Sequence, residues 1–426
     1  MHVFLQALGC RLNEAELETW SRDCRARGFR LTTDAEQADL VVINTCAVTG
    51  ESVRKSRQLI RRAQRANPQA KLVVSGCYAS LSPDDTAAEL GIDLVVANPD
   101  KDRLIDIAAD RLDLAVMPQT ATEPGEHALL ARNRQRAFIK VQDGCRYRCA
   151  FCIVTKARGD ERSRGVGEVV EEVKRIHASG IQEVVLAGVH LGGYGSDIDS
   201  SLPTLVDAVL SETRIPRVRL GSLEPWELDE GFWTLFANPR LMPHLHLPIQ
   251  SGADSVLRRM SRRCRSGEFR DLVEQARCAA PGFNVTTDII VGFPGETEDE
   301  WQQTLDFARQ MTFGHIHIFA YSPRAGTKAA GMPGQIAPEV KRERSRQLHE
   351  IAAASRRQVL QQAIGCEYAV LIEGHGQDGG NWSGYTPNYL RVELQDESDA
   401  DLENRIVRVR CLEVSDDGER LIGTAA

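Results

Sequence analysis

The sequence predicts an α/β protein with an N-terminal open parallel sheet, a central partial (β/α)6 barrel and a C-terminal small all-β barrel. Three observations predict it. Apolar runs alternate with helical patterns through residues 1–115, as in a buried parallel sheet. About six strand–helix units follow from residue 137, too few for a closed eight-unit barrel. The last ~60 residues hold short strand-like pieces between Gly, Asn and Asp turns.

The N-terminal region supplies the first sheet. Its predicted strands are His2–Leu8, Asp39–Asn44, Lys71–Ser75 and Asp93–Ala97, and its predicted helices are Asn13–Arg27 and Glu51–Ala66. Residues 117–131 lack periodicity and contain Pro and Gly, so they predict a linker. We therefore expect domains over residues 1–116, 132–364 and 365–426.

The central and C-terminal regions follow the same logic. The predicted barrel strands are Ala137–Asp143, Glu183–Ala187, Arg217–Gly221, His244–Pro248, Asn284–Val291 and His315–Ala320. The helices that follow them are Val166–Ser179, Leu202–Glu212, Glu230–Phe236, Ala253–Met260, Phe269–Ala280 and Glu296–Met311, and a long helix covers Pro338–Ala363. The tail strands are Tyr368–Glu373, Tyr389–Leu394, Arg405–Val414 and Arg420–Gly423.

Composition excludes several classes of protein. The 426-residue chain has no apolar run long enough to span a bilayer, and its first residues resemble no secretory signal. We therefore expect a cytoplasmic protein without a membrane partner. Neither a Walker A motif nor a dinucleotide glycine fingerprint is present, so phosphate cleavage and NAD chemistry lack support.

Charge is unevenly distributed along the chain. The net charge is −8, and residues from Cys366 onward hold 13 acidic and 5 basic residues, so the body is neutral. Within the body, Arg54–Arg65, Arg132–Arg164 and Arg258–Arg265 are basic blocks. Such blocks are either solvated helix faces or a contact surface for a polyanion.

Cysteine spacing gives the strongest local signal. Cys145, Cys149 and Cys152 lie within eight residues directly after a predicted strand, so their thiolates can reach one metal centre. Zinc normally takes four ligands, commonly as paired knuckles, and no second knuckle is nearby. A [4Fe–4S] cluster held by three cysteines leaves one iron open to a small ligand. This spacing favours the cluster, and zinc is the alternative.

A second cysteine set is dispersed in the sequence. Cys10, Cys46 and Cys77 each follow the end of a predicted parallel strand. Because ligands bind beyond the carboxyl ends of such strands, we expect the three to converge. Three ordinary buried cysteines are the alternative. The remaining five cysteines are not expected to be ligands: Cys24, Cys264, Cys278, Cys366 and Cys411.

The predicted barrel loops are rich in glycine and polar groups. Since the carboxyl ends of barrel strands carry active sites, these loops are expected at the same mouth as Cys145–Cys152. For the loop Gly292–Glu296, the alternative to an active-site loop is that it only begins a helix. His244 and His246 alternate with leucines, a pattern more typical of barrel filling than of metal binding.

Together, these motifs resemble the radical S-adenosylmethionine (SAM) enzymes, and within them the methylthiotransferases with a TRAM-like tail. Longer segments resemble the branch that acts on N6-threonylcarbamoyladenosine in tRNA. They are Lys140–Cys145, Gly188–Gly195, Pro243–Gly252, Thr286–Thr297 and Tyr321–Thr327.

The resemblance implies an enzyme with two [4Fe–4S] clusters. Cys145, Cys149 and Cys152 would hold the cluster that binds SAM, whose cleavage yields a radical that abstracts hydrogen from C2 of the adenine. The upstream cysteines, from the first predicted domain, would hold an auxiliary cluster that carries the sulfur, so each cluster could be lost separately. An electron donor such as flavodoxin or ferredoxin is implied. The resemblance assigns cofactor contact to Phe151, Gly188, Ser222, Glu224 and Gln250.

tRNA is the implied partner, through its anticodon loop. Six arginines in the basic blocks are the candidate RNA contacts: Arg61, Arg62, Arg65, Arg158, Arg162 and Arg164. The acidic TRAM-like tail offers fewer candidates, which are Tyr385, Asn388, Tyr389 and Arg391. Thr155-Lys156 stands where the family usually has Pro-Tyr, which alters a contact beside the cysteine motif.

Three other functions fit less well. Within the class, the substrate could be isopentenylated adenosine of tRNA or an aspartate of a ribosomal protein. Outside it, a non-catalytic iron–sulfur RNA-binding protein would share the basic blocks but would not cleave SAM.

Overall fold

A computed structural model describes residues 1–114, 135–228, 230–375, 380–395 and 400–426. They form two compact units. The first contains residues 1–114, Phe138–Arg162 and Ser322–Ala330, and the second contains residues 135–137 with the described parts of Ser163–Tyr321 and Gly331–Ala426. The predicted linker at 117–131 lies outside the described residues. Among the described helices, none combines the length and apolar character that crossing a bilayer demands.

A five-stranded parallel sheet is the core of the first unit. Its strands are β1 (His2–Ala7), β2 (Arg30–Thr32), β3 (Leu40–Thr45), β4 (Lys71–Gly76) and β5 (Leu94–Val95), in the order β2-β1-β3-β4-β5. Its helices are α1 (Arg11–Ala26), α2 (Gly50–Ala66), α3 (Cys77–Leu81), α4 (Pro83–Leu90) and α5 (Leu104–Arg111). The sheet confirms the predicted N-terminal fold.

Side-chain alternation in β3 explains why helices cover both faces of this sheet. Val42 packs with Trp20 of α1, whereas Ile43 packs with Ile60 of α2. Both faces of the central strand are therefore buried, which is why its sequence is continuously apolar. Helix α2 begins after Thr49, whose hydroxyl accepts a hydrogen bond from the Ser52 N–H at 3.0 Å.

The cysteine-rich segment groups with the first unit. It contains β7 (Gln142–Asp143) and α6 (Val154–Arg158). Two strands have residues in both units, β6 (Arg136–Lys140) before this segment and β8 (Arg162–Ser163) at its end.

The second unit begins with parallel strands and helices. Its strands are β9 (Glu183–Ala187), β10 (Arg217–Leu220), β11 (His244–His246), β12 (Asn284–Val291) and β13 (His315–Ala320), and β9 pairs with β10 as β12 pairs with β11 and β13. Its helices are α7 (Val166–Ala178), α8 (Leu202–Glu212), α9 (Asp254–Arg259), α10 (Ser266–Ala279), α11 (Glu298–Met311) and α12 (Pro338–Gln362). This is the expected barrel-type strand–helix alternation.

Short 3₁₀ segments lie between these elements. They are Ala35–Gln37, Asn98–Arg103, Leu191–Gly193, Pro225–Glu227, Glu230–Ala237 and Ala329–Gly331. Glu230–Ala237 replaces a predicted α-helix. Its glycine and bulky aromatic residues are poor α-formers, and Phe232 and Phe236 pack edge to face with ring centroids 5.7 Å apart.

A closed barrel ends the chain, as predicted. Its strands are β14 (Glu367–His375), β15 (Trp382–Tyr385), β16 (Arg391–Leu394), β17 (Ile406–Val414) and β18 (Leu421–Ala425), in the order β14-β15-β16-β18-β17. Strand β15 was not predicted because Gly384 weakens its pattern. A Cβ at Gly384 would overlap the Leu371 carbonyl oxygen, so glycine allows the two strands to approach.

Candidate metal centre

Cys10, Cys46 and Cys77, the upstream triad, lie at one edge of the first sheet. Cys10 precedes α1, Cys46 follows β3, and Cys77 begins α3 directly after β4. Because β1, β3 and β4 are neighbouring parallel strands, their carboxyl ends share that edge. The structure therefore brings together three cysteines that ~30 residues of sequence separate, as the strand pattern predicts.

Glycine turns bring these cysteines close. Gly9 has φ +121°, and a Cβ there would lie only 2.8 Å from Cys46 Cβ. Gly76 has φ +95°, and a Cβ there would overlap the Thr45 carbonyl oxygen. Both positions need a positive φ and no side chain, so glycine lets the chain turn from strand to cysteine without extra space.

Cys145, Cys149 and Cys152, the loop triad, lie on a tight turn that begins at Gly144. Gly144 has φ +73°, and a Cβ there would overlap the Asp160 carbonyl oxygen. Two backbone N–H groups donate to sulfur, Tyr147 N–H to Cys145 Sγ and Val154 N–H to Cys152 Sγ, both at 3.4 Å. The turn thus presents hydrogen-bonded sulfurs, as iron–sulfur proteins do.

The two triads are adjacent, although the sequence placed them in different domains. Cys77 packs in a buried apolar cluster with Ile153, the residue after Cys152. Asn98 Nδ2 donates to the Ala157 carbonyl oxygen at 2.6 Å. Helix α3, which begins at Cys77, packs against α6. Both triads therefore belong to the first compact unit.

Four charged side chains are buried beside the triads, and we call Glu16, Lys101, Asp143 and Arg158 the buried quartet. None is more than 4% exposed. Arg158 Nη1 lies 3.0 Å from Glu16 Oε1 and 2.9 Å from Asp143 Oδ1, and Lys101 Nζ pairs with Glu16. Burial acts to raise the pKa of Glu16, but Lys101 and Arg158 outweigh it and lower the pKa to about 2. Glu16 is therefore ionised at neutral pH.

The chain resembles known proteins over most of its length. Two family models match it: Uncharacterized protein family UPF0004 over residues 2–97 and the Radical SAM superfamily over residues 139–308. It is 35% identical to threonylcarbamoyladenosine tRNA methylthiotransferase MtaB of Bacillus subtilis, over 96% of this chain and 93% of the relative. The MtaB of Thermotoga maritima is 36% identical over 92% and 91%. The chain belongs to the MtaB-like family of radical SAM methylthiotransferases.

Two further comparisons are with a curated relative of a different name and with a solved structure. The tRNA-2-methylthio-N(6)-dimethylallyladenosine synthase of Methylacidiphilum infernorum is 32% identical over 88% of this chain and 85% of the relative. The solved structure of the radical SAM methyltransferase TsrM from Kitasatospora setae, with cobalamin and a [4Fe–4S] cluster bound, covers 77% of each chain. Its TM-score is 0.55 at 16% identity, so the two proteins share a fold.

The cysteines of this radical SAM methylthiotransferase fit the cofactors of its family, SAM and [4Fe–4S] clusters. All eleven cysteines are free of disulfides, and two sets of three converge. Three thiolates per cluster match a [4Fe–4S] centre with one open iron better than they match a four-ligand zinc site. The sulfur-directed N–H groups add the outer hydrogen bonds that such clusters need.

The expected cofactor contacts occupy two settings in this methylthiotransferase. Phe151 is half-buried within the loop triad of the first unit. The other four lie beyond the carboxyl ends of β9, β10 and β11 in the second unit: Gly188, Ser222, Glu224 and Gln250. Gln250 has φ +79° and is 8% exposed. Its N–H donates to the Asp288 carbonyl oxygen at 2.8 Å, which holds this uncommon backbone conformation.

A polar sheet face in the second unit was missed by the sequence reasoning. Alternate residues of β11, β12 and β13 place six side chains on it: His244, His246, Thr286, Asp288, His315 and His317. His246 Nε2 lies 3.1 Å from Asp288 Oδ1, and its Nδ1 lies 3.0 Å from Thr286 Oγ1. Burial lowers the pKa of His315 to about 4. The alternation of His315 and His317 was the signal that could have revealed this face.

The predicted RNA contacts differ in their availability. Arg61, Arg62 and Arg65 are exposed on α2, and no carboxylate among the described residues pairs with them. Arg162 is exposed as well, with Asp143 3.9 Å away. Arg164 is half-buried and pairs with Glu168 and Glu172, both at 2.6 Å. Helix α2 therefore offers the best-exposed positive charge of the set.

Arg158 does not suit the RNA-binding role that the sequence predicted. It is 3% exposed, and its guanidinium is occupied by Glu16, Asp143, Asn13 and Cys77. The physical reason is that two buried carboxylates need a buried cation nearby. A phosphate could reach Arg158 only by displacing them.

Two of the tail residues expected to contact RNA, Tyr385 and Tyr389, pack against an ionic group. We call this group the arginine cluster, which is Glu183 with Arg136, Arg217 and Arg219. Their guanidinium nitrogens lie 3.1–3.4 Å from the Glu183 carboxylate. Tyr389 stacks on Tyr385 with centroids 4.8 Å apart, and Arg219 lies 4.6 Å over Tyr389. Asn388 is buried and donates to the Gly282 carbonyl oxygen at 2.9 Å. These residues dock the tail barrel, and Arg391 is half-buried at the start of β16.

Proposed function

We propose that this chain adds sulfur and a methyl group at C2 of N6-threonylcarbamoyladenosine in tRNA, as the names of its MtaB relatives describe. The loop triad would hold the cluster that binds SAM, and the upstream triad would hold the auxiliary cluster. When bound, the clusters and SAM supply the electron, the radical and the sulfur. Flavodoxin or ferredoxin in the cytoplasm would deliver the electron.

The chain's own residues would orient and shield these groups. The Gly144 turn and the two N–H groups directed at sulfur support the loop triad. Ile153 packs with Cys77 in a buried apolar cluster. Low polarity strengthens hydrogen bonds to thiolate sulfur, so this packing would help to hold Cys77 in one arrangement while the cofactors change charge.

The observation that carries the choice of nucleoside is the polar sheet face of β11–β13. It presents imidazole, hydroxyl and carboxylate groups, including Asp288 and His246. A threonylcarbamoyl group carries donors and acceptors that such groups can match. A dimethylallyl group is a hydrocarbon and offers these polar groups no hydrogen bond, so covering them with it carries a desolvation cost. The face therefore favours the threonylcarbamoyl substrate over the dimethylallyl substrate of the Methylacidiphilum relative.

Nucleoside analysis of tRNA tests the substrate. Mass spectrometry of a deletion strain should show loss of 2-methylthio-N6-threonylcarbamoyladenosine with accumulation of its unthiolated precursor. Re-expression of the chain should restore the product. Loss of the methylthio dimethylallyl nucleoside instead would reject the assignment and identify the alternative substrate.

Iron analysis tests the loop triad. After anaerobic reconstitution we expect about eight iron atoms per chain, as two [4Fe–4S] clusters require. Changing Cys145, Cys149 and Cys152 together to Ala should halve the iron and abolish SAM cleavage. Cys278→Ala, at an exposed cysteine, is the control and should change neither. Full iron in the triple variant would show that the ligands are wrong.

The upstream triad has a different expected signature. Changing Cys10, Cys46 and Cys77 together to Ala should leave reductive SAM cleavage but stop formation of the methylthio product. Because both triads lie in one compact unit, circular dichroism must first show that this variant is folded. A folded variant that still makes product would reject the division of labour between the clusters.

A further inference from the structure

We infer that Arg158 is a positioning residue for the upstream triad, which hydrogen-bonds Cys77 Sγ and raises the reduction potential of the cluster held there. This inference rests on the proposed assignment of the ligands. It gives a buried arginine of the loop-triad segment a function at the other triad.

The guanidinium of Arg158 is fixed in orientation by four partners. Its Nε donates to Cys77 Sγ at 3.3 Å, and its Nη2 donates to Asn13 Oδ1 at 2.9 Å. Its Nη1 donates to Glu16 and Asp143. Because these acceptors occupy all three nitrogens, the Nε–H cannot turn away from the sulfur without breaking another buried hydrogen bond.

Asn13 connects Arg158 to the turn before a second cysteine, Cys10. The Asn13 side-chain oxygen that accepts from Arg158 also lies 3.8 Å from Cys10 Sγ. The Asn13 Nδ2 donates to the Leu8 carbonyl oxygen at 2.7 Å, so this amide is held at the turn before Cys10. Arg158 therefore contacts Cys77 directly and is anchored through Asn13 at the turn that precedes Cys10.

The origin of Arg158 in the chain makes this arrangement informative. Arg158 ends α6, which begins two residues after Cys152, and its partner Glu16 is 142 residues earlier. A lysine or an apolar residue at the end of α6 would fill the space without reaching Cys77, Asn13 and Glu16 together. The planar five-donor guanidinium is the side chain suited to such a set of acceptors.

The direction of the effect follows from charge. Reduction adds negative charge to a cluster, and a fixed cation that donates to a ligating sulfur stabilises the reduced form. The carboxylates of Glu16 and Asp143 neutralise much of this charge at a distance, but neither donates to sulfur. Loss of Arg158 should therefore make the upstream cluster harder to reduce.

A redox titration of the full chain tests the inference. In the variant with Cys145, Cys149 and Cys152 changed to Ala, only the upstream cluster remains, and paramagnetic resonance reports its reduction. Arg158→Gln should lower the reduced-to-oxidised ratio about tenfold at a fixed potential, which is about 59 mV for one electron. Arg158→Lys should recover part of the shift because it keeps the charge.

A charge-balanced variant guards against simple misfolding. Glu16→Gln with Arg158→Gln removes one acid and one base, so the quartet stays neutral. It should retain iron and show the same negative shift. Arg162→Gln is the matched control, because Arg162 is an exposed arginine near Asp143 in the same segment, and it should leave the potential unchanged.

Several outcomes would overturn the inference. An unchanged potential in Arg158→Gln and in the double variant would do so, as would an equal shift in the Arg162→Gln control. A folded double variant that cannot retain the upstream iron would also do so, since Arg158 would then serve cluster assembly. A parent triple variant without any iron would instead point to failure of the ligand assignment itself.

Discussion

The buried quartet and the arginine cluster solve the same problem in different ways. Each buries a glutamate among cations, and in each the cations lower the carboxyl pKa to about 2 against the effect of burial. The quartet balances two acids with two bases. The arginine cluster places three guanidinium groups around Glu183, and its excess positive charge faces Glu373, tyrosine rings and backbone carbonyl oxygens.

This difference indicates what the buried quartet and the arginine cluster are each suited to do. Charge balance lets the quartet direct one donor, Arg158 Nε, at Cys77 Sγ, so a change there should alter the metal centre. The arginine cluster directs its donors at the tail barrel, where Arg217 bonds the Tyr385 carbonyl oxygen at 3.2 Å and Arg219 that of Pro387 at 3.2 Å. A change there should alter stability.

The largest expected effect is on stability and comes from Glu183→Gln. Removing the carboxylate that all three buried guanidinium groups share leaves uncompensated charge, which costs about 3–5 kcal/mol. Urea unfolding should show a lower midpoint with the loss in this range. Glu171→Gln, at an exposed residue of α7 paired with Lys174, should change the free energy of unfolding little. Equal midpoints for both variants would contradict a structural role for the arginine cluster.

Lowering the pH should weaken the buried quartet and the arginine cluster over the same pH range. The pKa of each glutamate falls from 4.5 in the unfolded chain to about 2 in the folded one. The stabilisation is therefore complete above pH 4.5 and is lost as the pH falls towards 2, by roughly 3 kcal/mol per group. Urea unfolding in buffers between pH 6 and pH 3 measures this loss in the free energy of unfolding.

The Glu183→Gln variant sharpens the pH experiment. It should lose the Glu183 share of the pH dependence and keep the share of Glu16. A variant whose stability depends on pH as steeply as that of the wild type would show that Glu183 does not titrate in this window.

The tyrosine face of the arginine cluster should have a moderate effect. Tyr389→Leu removes the ring under Arg219 and Arg136, and we expect a loss of about 1–2 kcal/mol in the free energy of unfolding. Tyr389→Phe keeps the ring and removes the hydroxyl that accepts from Arg136 at 3.2 Å. It should cost about 1 kcal/mol or less. A larger loss for Phe than for Leu would show that the hydroxyl, and not the ring, matters.

Exposed arginines should have the smallest effect on stability and a clear effect on tRNA. Changing Arg61, Arg62 and Arg65 to Glu should weaken tRNA binding more than about tenfold and reduce the salt slope by about one per lost phosphate contact. The unfolding midpoint should stay within experimental error. Lys174→Glu with Arg175→Glu on α7, also exposed, is the control and should bind tRNA normally.

Deletion of the tail is not a suitable comparison for the α2 variant in tRNA binding, although the acidic charge of the tail suggests such a comparison. Removal of residues 366–426 would also remove the rings of Tyr385 and Tyr389 and carbonyl acceptors of the arginine cluster. The resulting loss of binding could arise from unfolding.

Should the helix α2 triple variant bind tRNA as well as wild type, the electrostatic role of this helix would be rejected.

Local patterns predicted much of the architecture. The alternation of buried strands with amphipathic helices predicted the first sheet, and the order of strands predicted the convergence of Cys10, Cys46 and Cys77 at one edge. The closed tail barrel followed from turn-separated strands. Differences arose where a local signal was weak, as at β15 with Gly384, or where glycine and aromatic residues formed a 3₁₀ segment at Glu230–Ala237.

By itself, the sequence predicted which cysteines come together, because cysteine spacing and strand position are properties of the local chain. Only the tertiary structure decided which arginines are exposed and which are buried. Arg158 and Arg61 look alike in the sequence, but Arg158 meets Glu16 across 142 residues and becomes buried, whereas Arg61 stays exposed on α2. A charged side chain takes its environment from partners distant in the chain, and the cost of burying it is met only when folding brings those partners together.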